Sequence, residues 1–250
     1  MTWAGGLSGR AGSDDGSSDG VAAEELQVLR SRVDLAALPP ITRAVTERVI
    51  GSSAELCYAN DLVCSEPWLE AAVAALAGGA PVVADGPMVA AGIPGELTIC
   101  KARESLTDRL ARTAGITRAA AAVRLAFGEA GPGAVWVVGS EPVAIYEILS
   151  RNTEPALVIG MPAGFVAAVE AKRLLLQSRV PAVTNVCEKG GPAVAVAACH
   201  ALLAASRPTG EQPARQPARQ PARQPVDARV QGTARLGGHV PGRSRQMGSI

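Results

Sequence analysis

Three glycine-containing turns hold the groups best suited to ligand binding, and the first lies within residues 156–172. There an apolar run is broken by Gly160, Pro162 and Gly164, and an amphipathic stretch starts at Phe165. The pattern predicts a buried strand, a tight turn and a helix. Free N–H groups at the start of such a helix suit anionic ligand groups. The alternative interpretation is that the glycines only allow the chain to turn sharply, because Gly-rich turns between a strand and a helix are common in α/β proteins.

Two further turns carry polar side chains after predicted strands. Asp85 follows an apolar run that ends at Ala84, and Lys189 with Gly190 and Gly191 follows the last such run. The Asp85 carboxylate either orients a ligand amide or caps the turn that follows it. The Lys189 ammonium and the glycine amides either bind a ligand carboxylate or only form a turn. These turns are candidate binding positions, because α/β sheets place ligands at the carboxyl ends of their strands.

Side chains that donate a proton near neutral pH are few, because the sequence has only two histidines. His239 lies in the Pro- and Arg-rich tail, and His200 lies in an Ala-rich predicted helix. We interpret His200 as a structural or surface histidine. Cys57 and Tyr58 are weak acids near neutral pH.

The composition predicts a large aliphatic core, since 48% of residues are hydrophobic and 3% aromatic. Five cysteines are scattered without a CxxC pair, which predicts reduced thiols rather than a disulfide framework or a zinc site. No apolar run approaches the roughly 20 residues of a membrane span. The N-terminus lacks the basic and apolar regions of a secretory signal. A cytoplasmic protein without membrane contact is therefore expected.

The net charge of +1 is unevenly distributed along the chain. From Arg207 onward, eight Arg outnumber Glu211 and Asp227, a balance of +6, so the preceding residues carry −5. The mildly acidic body gives no reason to expect nucleic-acid binding. The tail repeats QPAR three times from Gln212, which is typical of a disordered, solvated extension. A charge-driven contact of the tail with RNA, DNA or an acidic protein is the alternative.

Strands alternate with helices along the sequence, which predicts a three-layer α/β/α fold with a mainly parallel sheet. We expect a disordered segment at residues 1–20, one domain at 21–206 and a disordered tail at 207–250. Periodicity predicts helices at 24–32, 41–50, 67–76, 117–127, 143–149, 165–172 and 192–205, and strands at 80–84, 97–100, 134–138, 156–159 and 179–186.

The residues of these turns, and the order of the turns along the chain, resemble those of precorrin-8X methylmutases, a family of cobalamin (corrin ring) biosynthesis. Residues 158–172 resemble its GxPxGFVxAxESK signature, with Ala171 where the family usually has Ser. Residues 80–93 resemble A-P-I-x-x-D-x-x-M-V-A-x-G-I, and Thr117-Arg118 resembles T-R-(S/A)-A-A. Further blocks follow in the family's order, so the resemblance covers roughly residues 26–205.

The resemblance implies an isomerase that moves a methyl group from C11 to C12 of a corrinoid and yields hydrogenobyrinic acid. It implies a homodimer with precorrin-8X bound near the subunit interface, and neither a metal nor a nucleotide cofactor. In the family the proton donor is the histidine of an R-(M/V)-(I/V)-H block. Here that block is Arg48-Val49-Ile50-Gly51, and glycine has no side chain to donate a proton. No catalytic residue is therefore assigned. Glu55, Cys57, Tyr58 and Asp61 follow Gly51, with no reason to prefer one of them as a substitute.

The resemblance also implies a set of substrate-binding residues. Arg118 either clamps a substrate carboxylate or forms a surface ion pair, and Arg48 either binds a carboxylate or pairs with Glu47. The set comprises Arg48, Asp85, Met88, Thr117, Arg118, Ser140, Gly164, Lys189, Gly190 and Gly191.

Several positions depart from the family's pattern. Ser140 and Val143 stand where the family has Asn and Thr, and Glu141 adds an anion to the same block. Glu25, Glu141 and Glu188 would repel substrate carboxylates wherever they face the pocket. Two functions therefore stay open at this point. One is methylmutase activity, and the other is an inactive paralogue that binds a corrinoid or a partner subunit.

Overall fold

The computed structural model describes residues 18–95 and 98–207, within which ten helices and six strands form. The segment 1–17 and the QPAR repeats lie outside the described residues, and α1 starts within the segment expected to be disordered. The helices are α1 (Ser18–Arg32), α2 (Pro40–Ser53), α3 (Tyr58–Asp61), α4 (Glu66–Ala77), α5 (Pro87–Gly92), α6 (Ser105–Ala114), α7 (Arg118–Ala130), α8 (Pro142–Ser150), α9 (Ala167–Gln177) and α10 (Pro192–Ala205). The strands are β1 (Leu62–Val63), β2 (Val82–Ala84), β3 (Thr98–Ile99), β4 (Val135–Val138), β5 (Leu157–Gly160) and β6 (Ala182–Asn185).

The six strands form one sheet in the order β1-β6-β5-β4-β2-β3. All neighbouring strands run parallel except β1, which pairs antiparallel with β6. The register is continuous through the centre, with Val83 opposite Trp136 and Trp136 opposite Val158. The predicted α/β class with a mainly parallel sheet is therefore confirmed.

Alternate residues of the central strands pack against different helical layers. Val135 and Val137 of β4 belong to a core cluster with residues of α2, α4 and α10. Trp136 and Val138 belong to a second cluster with residues of α7, α8 and α9. Because successive strand residues point to opposite faces, this alternation means that helices cover both faces of the sheet. The three-layer arrangement is confirmed.

The predicted helix start at Phe165 is wrong. Helix α9 begins at Ala167, while Phe165 and Val166 stay 87% and 77% exposed. Met161 and Pro162 are buried and Gly164 has a φ of +147°, so the chain continues as a loop before it becomes helical. The inward face of α9 consists of Ala168, Ala171, Lys172 and Leu175.

Four short or polar elements were not predicted from the sequence. In α6 only Thr107 is buried, so an apolar stripe that would reveal the helix is missing. Strand β1 has two residues and α3 has four, which is too short for a periodic pattern. Helix α5 has six residues and follows Asp85 almost directly. No helix in residues 18–95 and 98–207 is long and apolar enough to cross a membrane.

The strand order places a ligand-binding crevice between β2 and β4. The chain passes from β2 to β3 on one side of the sheet and then returns to β4 on the other side of β2. Such a reversal leaves a crevice outside the carboxyl ends of the two strands, where open α/β sheets bind ligands. Here these ends lead into Asp85 and into Gly139-Ser140.

Candidate functional site

A buried carboxylate joins the two sides of the crevice. Asp85 Oδ2 accepts hydrogen bonds from the backbone N–H groups of Ser140 and Glu141, both at 2.7 Å. The sequence left open whether Asp85 orients a ligand or caps its own turn. This contact adds a third role, because Asp85 fixes the β4–α8 turn, 55 residues later in the chain.

The second oxygen of Asp85 is buried and has no hydrogen-bond partner among the described residues. The residue is only 7% exposed, and this burial raises the pKa of Asp85. The amide hydrogen bonds of the β4–α8 turn act in the opposite direction, and the charge of Glu141 reinforces the increase. Removing the Asp85 carboxylate would therefore leave two amides of the turn without their acceptor.

An open cavity of about 610 Å³ occupies the crevice. Five predicted binding residues line it, namely Asp85, Met88, Thr117, Arg118 and Ser140. Sequence reasoning did not single out Arg103, which follows β3 and adds a second cation. The remaining lining residues are Gly86, Pro87, Ala102, Ala119, Glu141 and Val143.

Arg118 lies at the cavity wall and also forms the predicted ion pair, while its role as a carboxylate clamp stays a prediction. It lines the cavity, and its Nε lies 3.1 Å from Asp108 Oδ1 in an ion pair. Both side chains are about half exposed, so solvent screens this pair and its net contribution is small. The neighbouring Thr117 caps α7, because its hydroxyl oxygen accepts the backbone N–H of Ala120 at 3.1 Å.

The two other glycine turns bind each other through backbone hydrogen bonds. Gly164 N–H donates to the Glu188 carbonyl oxygen at 2.9 Å, and Gly191 N–H donates to the Met161 carbonyl oxygen at 2.7 Å. Gly190 has a φ of +147°, and a Cβ there would overlap the Met161 carbonyl oxygen. This close approach requires glycine. The backbone amides of Gly164 and Gly191 are thus already bonded within the protein and are not free for a ligand.

A buried ammonium group supports the turn after β6. Lys172 is 1% exposed, and its Nζ donates to Asn185 Oδ1 at 3.2 Å, to the Lys189 carbonyl oxygen at 2.8 Å and to the Cys187 carbonyl oxygen. All three acceptors are uncharged groups. Burial lowers the pKa of Lys172, and the nearby Cys187 and Glu188 only partly offset this effect.

The Lys189 side chain reaches across to the turn after α2. Its ammonium forms an ion pair with Glu55 and lies 3.4 Å from Cys57 Sγ. The Cys57 thiol in turn lies 3.5 Å from Glu55 Oε2. Burial, together with the charges of Asp61 and Cys187, raises the pKa of Cys57. We refer to Glu55, Cys57 and Lys189 as the ammonium cluster.

Position 51 precedes Glu55 of this cluster by four residues, and its neighbour Ser52 contacts the first turn of α10. Gly51 is exposed, and a Cβ there would meet no described atom within 4 Å. The next residue, Ser52, donates to the Ala193 carbonyl oxygen at 3.3 Å. Gly139 beside the cavity packs on the same turn, because a Cβ there would lie 2.8 Å from Pro192 Cα. The cavity and the ammonium cluster therefore flank the N-terminus of α10.

Several sequence-predicted residues have other surroundings. Arg48 is exposed on α2 and does not line the cavity, and Glu47 pairs with Arg30 at 2.8 Å rather than with Arg48. His200 Nε2 lies 2.7 Å from the Gly92 carbonyl oxygen, which agrees with a structural histidine. Of the three acidic residues expected to repel a substrate, Glu141 lines the cavity, whereas Glu25 and Glu188 do not.

The chain is similar to known proteins over most of its length. A family model described as precorrin-8X methylmutase matches residues 20–205. The chain is 33% identical to the cobalt-precorrin-8 methylmutase of Methanothermobacter thermautotrophicus over 202 residues, which cover 78% of this chain and 97% of that protein. It is 34% identical to the precorrin-8X methylmutase of Pseudomonas aeruginosa, covering 72% and 91%. A solved structure of precorrin-8X methylmutase from Thermus thermophilus superposes with a TM-score of 0.67 at 29% identity, covering 74% and 96%.

Proposed function

The chain belongs to the precorrin-8X methylmutase family of cobalamin biosynthesis, and from this premise we propose that it is an isomerase acting on precorrin-8X or a closely related corrinoid. The reaction would move a methyl group between neighbouring ring carbons, from C11 to C12, as the family resemblance implies. What the protein must supply is a pocket that fixes one pose of the ring and a proton donor near it.

The cavity between Asp85 and Ser140 carries this proposal. It lies at the reversal of strand order, where α/β sheets bind ligands, and its lining residues come from four separate segments of the sequence. Arg103 and Arg118 suit a ligand with several carboxylate arms, because guanidinium groups bind carboxylates through paired N–H donors. The hydroxyls of Thr117 and Ser140 add polar contacts, while Glu141 opposes an anionic ligand.

The second group of predicted residues is proposed to meet the part of the ring that extends beyond the cavity. A volume of about 610 Å³ is typical of sites for drug-sized ligands, and a corrin macrocycle with its arms is larger. Lys189 with Gly190 and Gly191 flanks the same helix N-terminus as the cavity, and Gly164 braces this turn. Arg48 is not included, because it is exposed on α2 and neither lines the cavity nor belongs to the turn after β6.

We also propose a cytoplasmic homodimer in which residues 21–206 form the methylmutase-like unit. The dimer is supported by exposed apolar side chains after β2, β5 and β6, at the edge of the sheet that holds the cavity. They are Met88, Phe165, Val166 and Val186. A partner subunit that covers them would also close an open cleft over a large ligand.

The test is visible absorption of the purified protein mixed with precorrin-8X and, separately, titrated with hydrogenobyrinic acid. We expect conversion to the conjugated product and saturable binding of that product. Arg118→Gln should weaken product binding by about 3- to 10-fold because it removes a cation from the cavity. Arg151→Gln, which removes an Arg paired with Glu147 at the end of α8, is the matched control and should bind normally.

The outcomes separate the two functions that the sequence left open. Turnover with the expected effect of Arg118→Gln supports a working methylmutase. Binding without turnover would instead identify an inactive corrinoid-binding paralogue. A protein that neither converts precorrin-8X nor binds the product would refute the proposed function.

A further inference from the structure

We propose that Lys189 donates the proton that position 51 cannot supply. The inference rests on the proposed methylmutase function and assigns a catalytic residue within the same site. Its basis is the ammonium cluster, where Lys189 crosses 134 residues of sequence to contact Glu55, which follows Gly51 by four residues, just after the end of α2. A cationic side chain thus contacts the segment that directly follows the block in which the family places its histidine.

Lys189 is the one lysine of the chain whose surroundings suit this role. The sequence has three lysines. Lys172 is buried with its three N–H groups directed to protein oxygens, and Lys101 is held by Glu104 at 2.8 Å and Glu129 at 2.5 Å. The Lys189 side chain is 39% exposed, and among the described residues its ammonium is bonded to Glu55 and Cys57 only. An ammonium has three donors, so one N–H remains for a ligand.

The other candidate acids near Gly51 are less suitable. Tyr58 is 1% exposed, and burial raises its pKa to about 12, so its hydroxyl neither reaches a ligand nor releases a proton readily. The Cys57 thiol already lies 3.5 Å from Glu55 Oε2 and 3.4 Å from Lys189 Nζ, so it is held within the ammonium cluster. Glu55 is the anionic partner of the ion pair. His200 lies eight residues into α10, roughly 12 Å along the helix from its N-terminus.

The lysine backbone is held rigidly, which a proton donor requires. The Lys189 carbonyl oxygen accepts from Lys172 Nζ at 2.8 Å and from Asn185 Nδ2 at 2.9 Å. The next residue, Gly190, is packed against the Met161 and Pro162 carbonyl oxygens. These contacts fix the direction in which the side chain leaves the turn.

The proposed step is balanced in protons and electrons. The Lys189 ammonium gives one proton to the macrocycle and becomes a neutral amine. The C11–methyl bond breaks while the C12–methyl bond forms, and the ring double bonds shift. The macrocycle then returns one proton to the amine, so substrate and product are isomers and no oxidant or reductant is consumed.

Three variants and one control test the assignment, measured by turnover of precorrin-8X and by titration with hydrogenobyrinic acid. Lys189→Arg keeps the charge, but a guanidinium does not release its proton. We expect near-normal product binding and a loss of turnover of about 100-fold or more, the usual contribution of a general acid. Lys189→Met should lose turnover equally and also weaken binding. Lys101→Met, which removes a lysine outside the ammonium cluster, should retain turnover.

The third variant places a histidine at position 51, where the family has its proton donor. The double variant Gly51→His with Lys189→Met should recover at least tenfold of the lost turnover, because a side chain at position 51 has open space around it. Its rate should fall as pH rises above about 6.5, where imidazolium loses its proton. Such a change of pH profile would not follow from repaired folding alone. Circular dichroism of each variant checks that the fold is retained.

Four results would contradict the assignment of Lys189 as the proton donor. Lys189→Arg with near-normal turnover would make Lys189 a carboxylate anchor and overturn its role as acid. Product binding by the wild type without turnover would overturn the assignment of an acid while leaving corrinoid binding in place. Absence of both would remove the proposed function as well. Failure of the double variant to recover activity, with its fold retained, would also contradict the proposal.

Discussion

The buried ammonium of Lys172 lies 2.8 Å from the carbonyl oxygen of Lys189 and has no carboxylate partner in the described part of the chain. It replaces a counterion with three uncharged oxygens, all on the segment between Asn185 and Lys189. Burying a charge without a counterion costs free energy of folding, so this contact is not a stabilising ion pair. It is better explained as a brace for the turn that carries Lys189.

Lys172→Met should therefore affect the ligand site more than a surface substitution would. Two backbone carbonyls lose a donor, although Asn185 Nδ2 still reaches both, at 2.9 and 3.3 Å. We expect the free energy of unfolding to fall by about 1–2 kcal/mol and turnover to fall by roughly tenfold. Urea unfolding and the turnover assay measure the two effects. Normal turnover in this variant would show that the brace is not needed for function.

The glycines of this region should respond oppositely to substitution by alanine. Gly190→Ala places a Cβ on the Met161 carbonyl oxygen at a positive φ, so we expect a loss of several kcal/mol or failure to fold. Gly51→Ala adds a methyl group to an exposed helical position with open space, which should stabilise by about 0.5–1 kcal/mol. Urea unfolding of the two variants compares them directly. Equal effects would contradict the close packing of the two turns.

The Glu141 carboxylate should weaken binding of a polycarboxylate ligand, because it lines the cavity beside Arg118. Glu141→Ala removes this repulsion while the backbone N–H that binds Asp85 is retained. We expect hydrogenobyrinic acid to bind about 2- to 5-fold more tightly, with a smaller difference at high salt. Glu25→Ala changes the net charge equally on an exposed part of α1 and should leave the affinity unchanged. If both variants gained equally, overall charge rather than the cavity would be responsible.

The central sheet was predictable because its strands are continuous apolar runs. Residues 134–138 and 156–159 were predicted as strands, and β4 and β5 lie within one residue of those bounds. Because both faces of these strands are buried, apolar residues follow one another without the alternation of polar and apolar residues that half-exposed strands show. The predicted helix start at Phe165 was wrong because the sequence does not show whether an apolar residue is buried. Phe165 and Val166 continue the helical spacing of α9, although they lie on an exposed loop.

The relationships that assemble the site could not be predicted from local pattern. Asp85 meets Ser140 across 55 residues, and Glu55 meets Lys189 across 134. Such contacts depend on the strand order, which brings the carboxyl ends of distant strands to one edge. Sequence indicated Asp85, Thr117, Arg118 and Ser140 through motif order, but it held no local signal for Arg103 or for the Lys189–Glu55 pair.

Alkaline pH should destabilise the protein partly through Cys199. This thiol is fully buried in α10, and burial raises its pKa to about 12, whereas an unfolded cysteine titrates near 8.5. Above about pH 8.5 the unfolded chain releases the proton and the folded chain keeps it, so the free energy of unfolding falls as pH rises toward 12. At pH 10 this contribution is about 2 kcal/mol. Tyr58, with a pKa of about 12, acts in the same direction.

Cys199→Ala isolates this contribution. It should lower stability at pH 7 through lost packing but reduce the decline between pH 8.5 and pH 10.5. Cys100→Ala, at a partly buried position, is the matched control. Urea unfolding of the wild type and of both variants at pH 8.5 and pH 10.5 gives six free energies of unfolding, from which the three declines follow. An unchanged decline in Cys199→Ala would show that the alkaline loss comes from other groups.

From the exposed loop before α9 we predict a surface for self-association. Phe165 and Val166 are 87% and 77% exposed, although the sequence pattern would favour burying both. An aromatic ring buried at an interface removes a large apolar area from water, so Phe165→Ser should weaken a dimer that uses this edge by at least tenfold. Val28→Ser, an exposed apolar position on α1, is the control and should leave the association unchanged. Sedimentation of the full chain over a concentration series measures both. A wild-type protein that stays monomeric at every concentration, or a Phe165→Ser variant that associates normally, would show that this edge does not bind a second subunit.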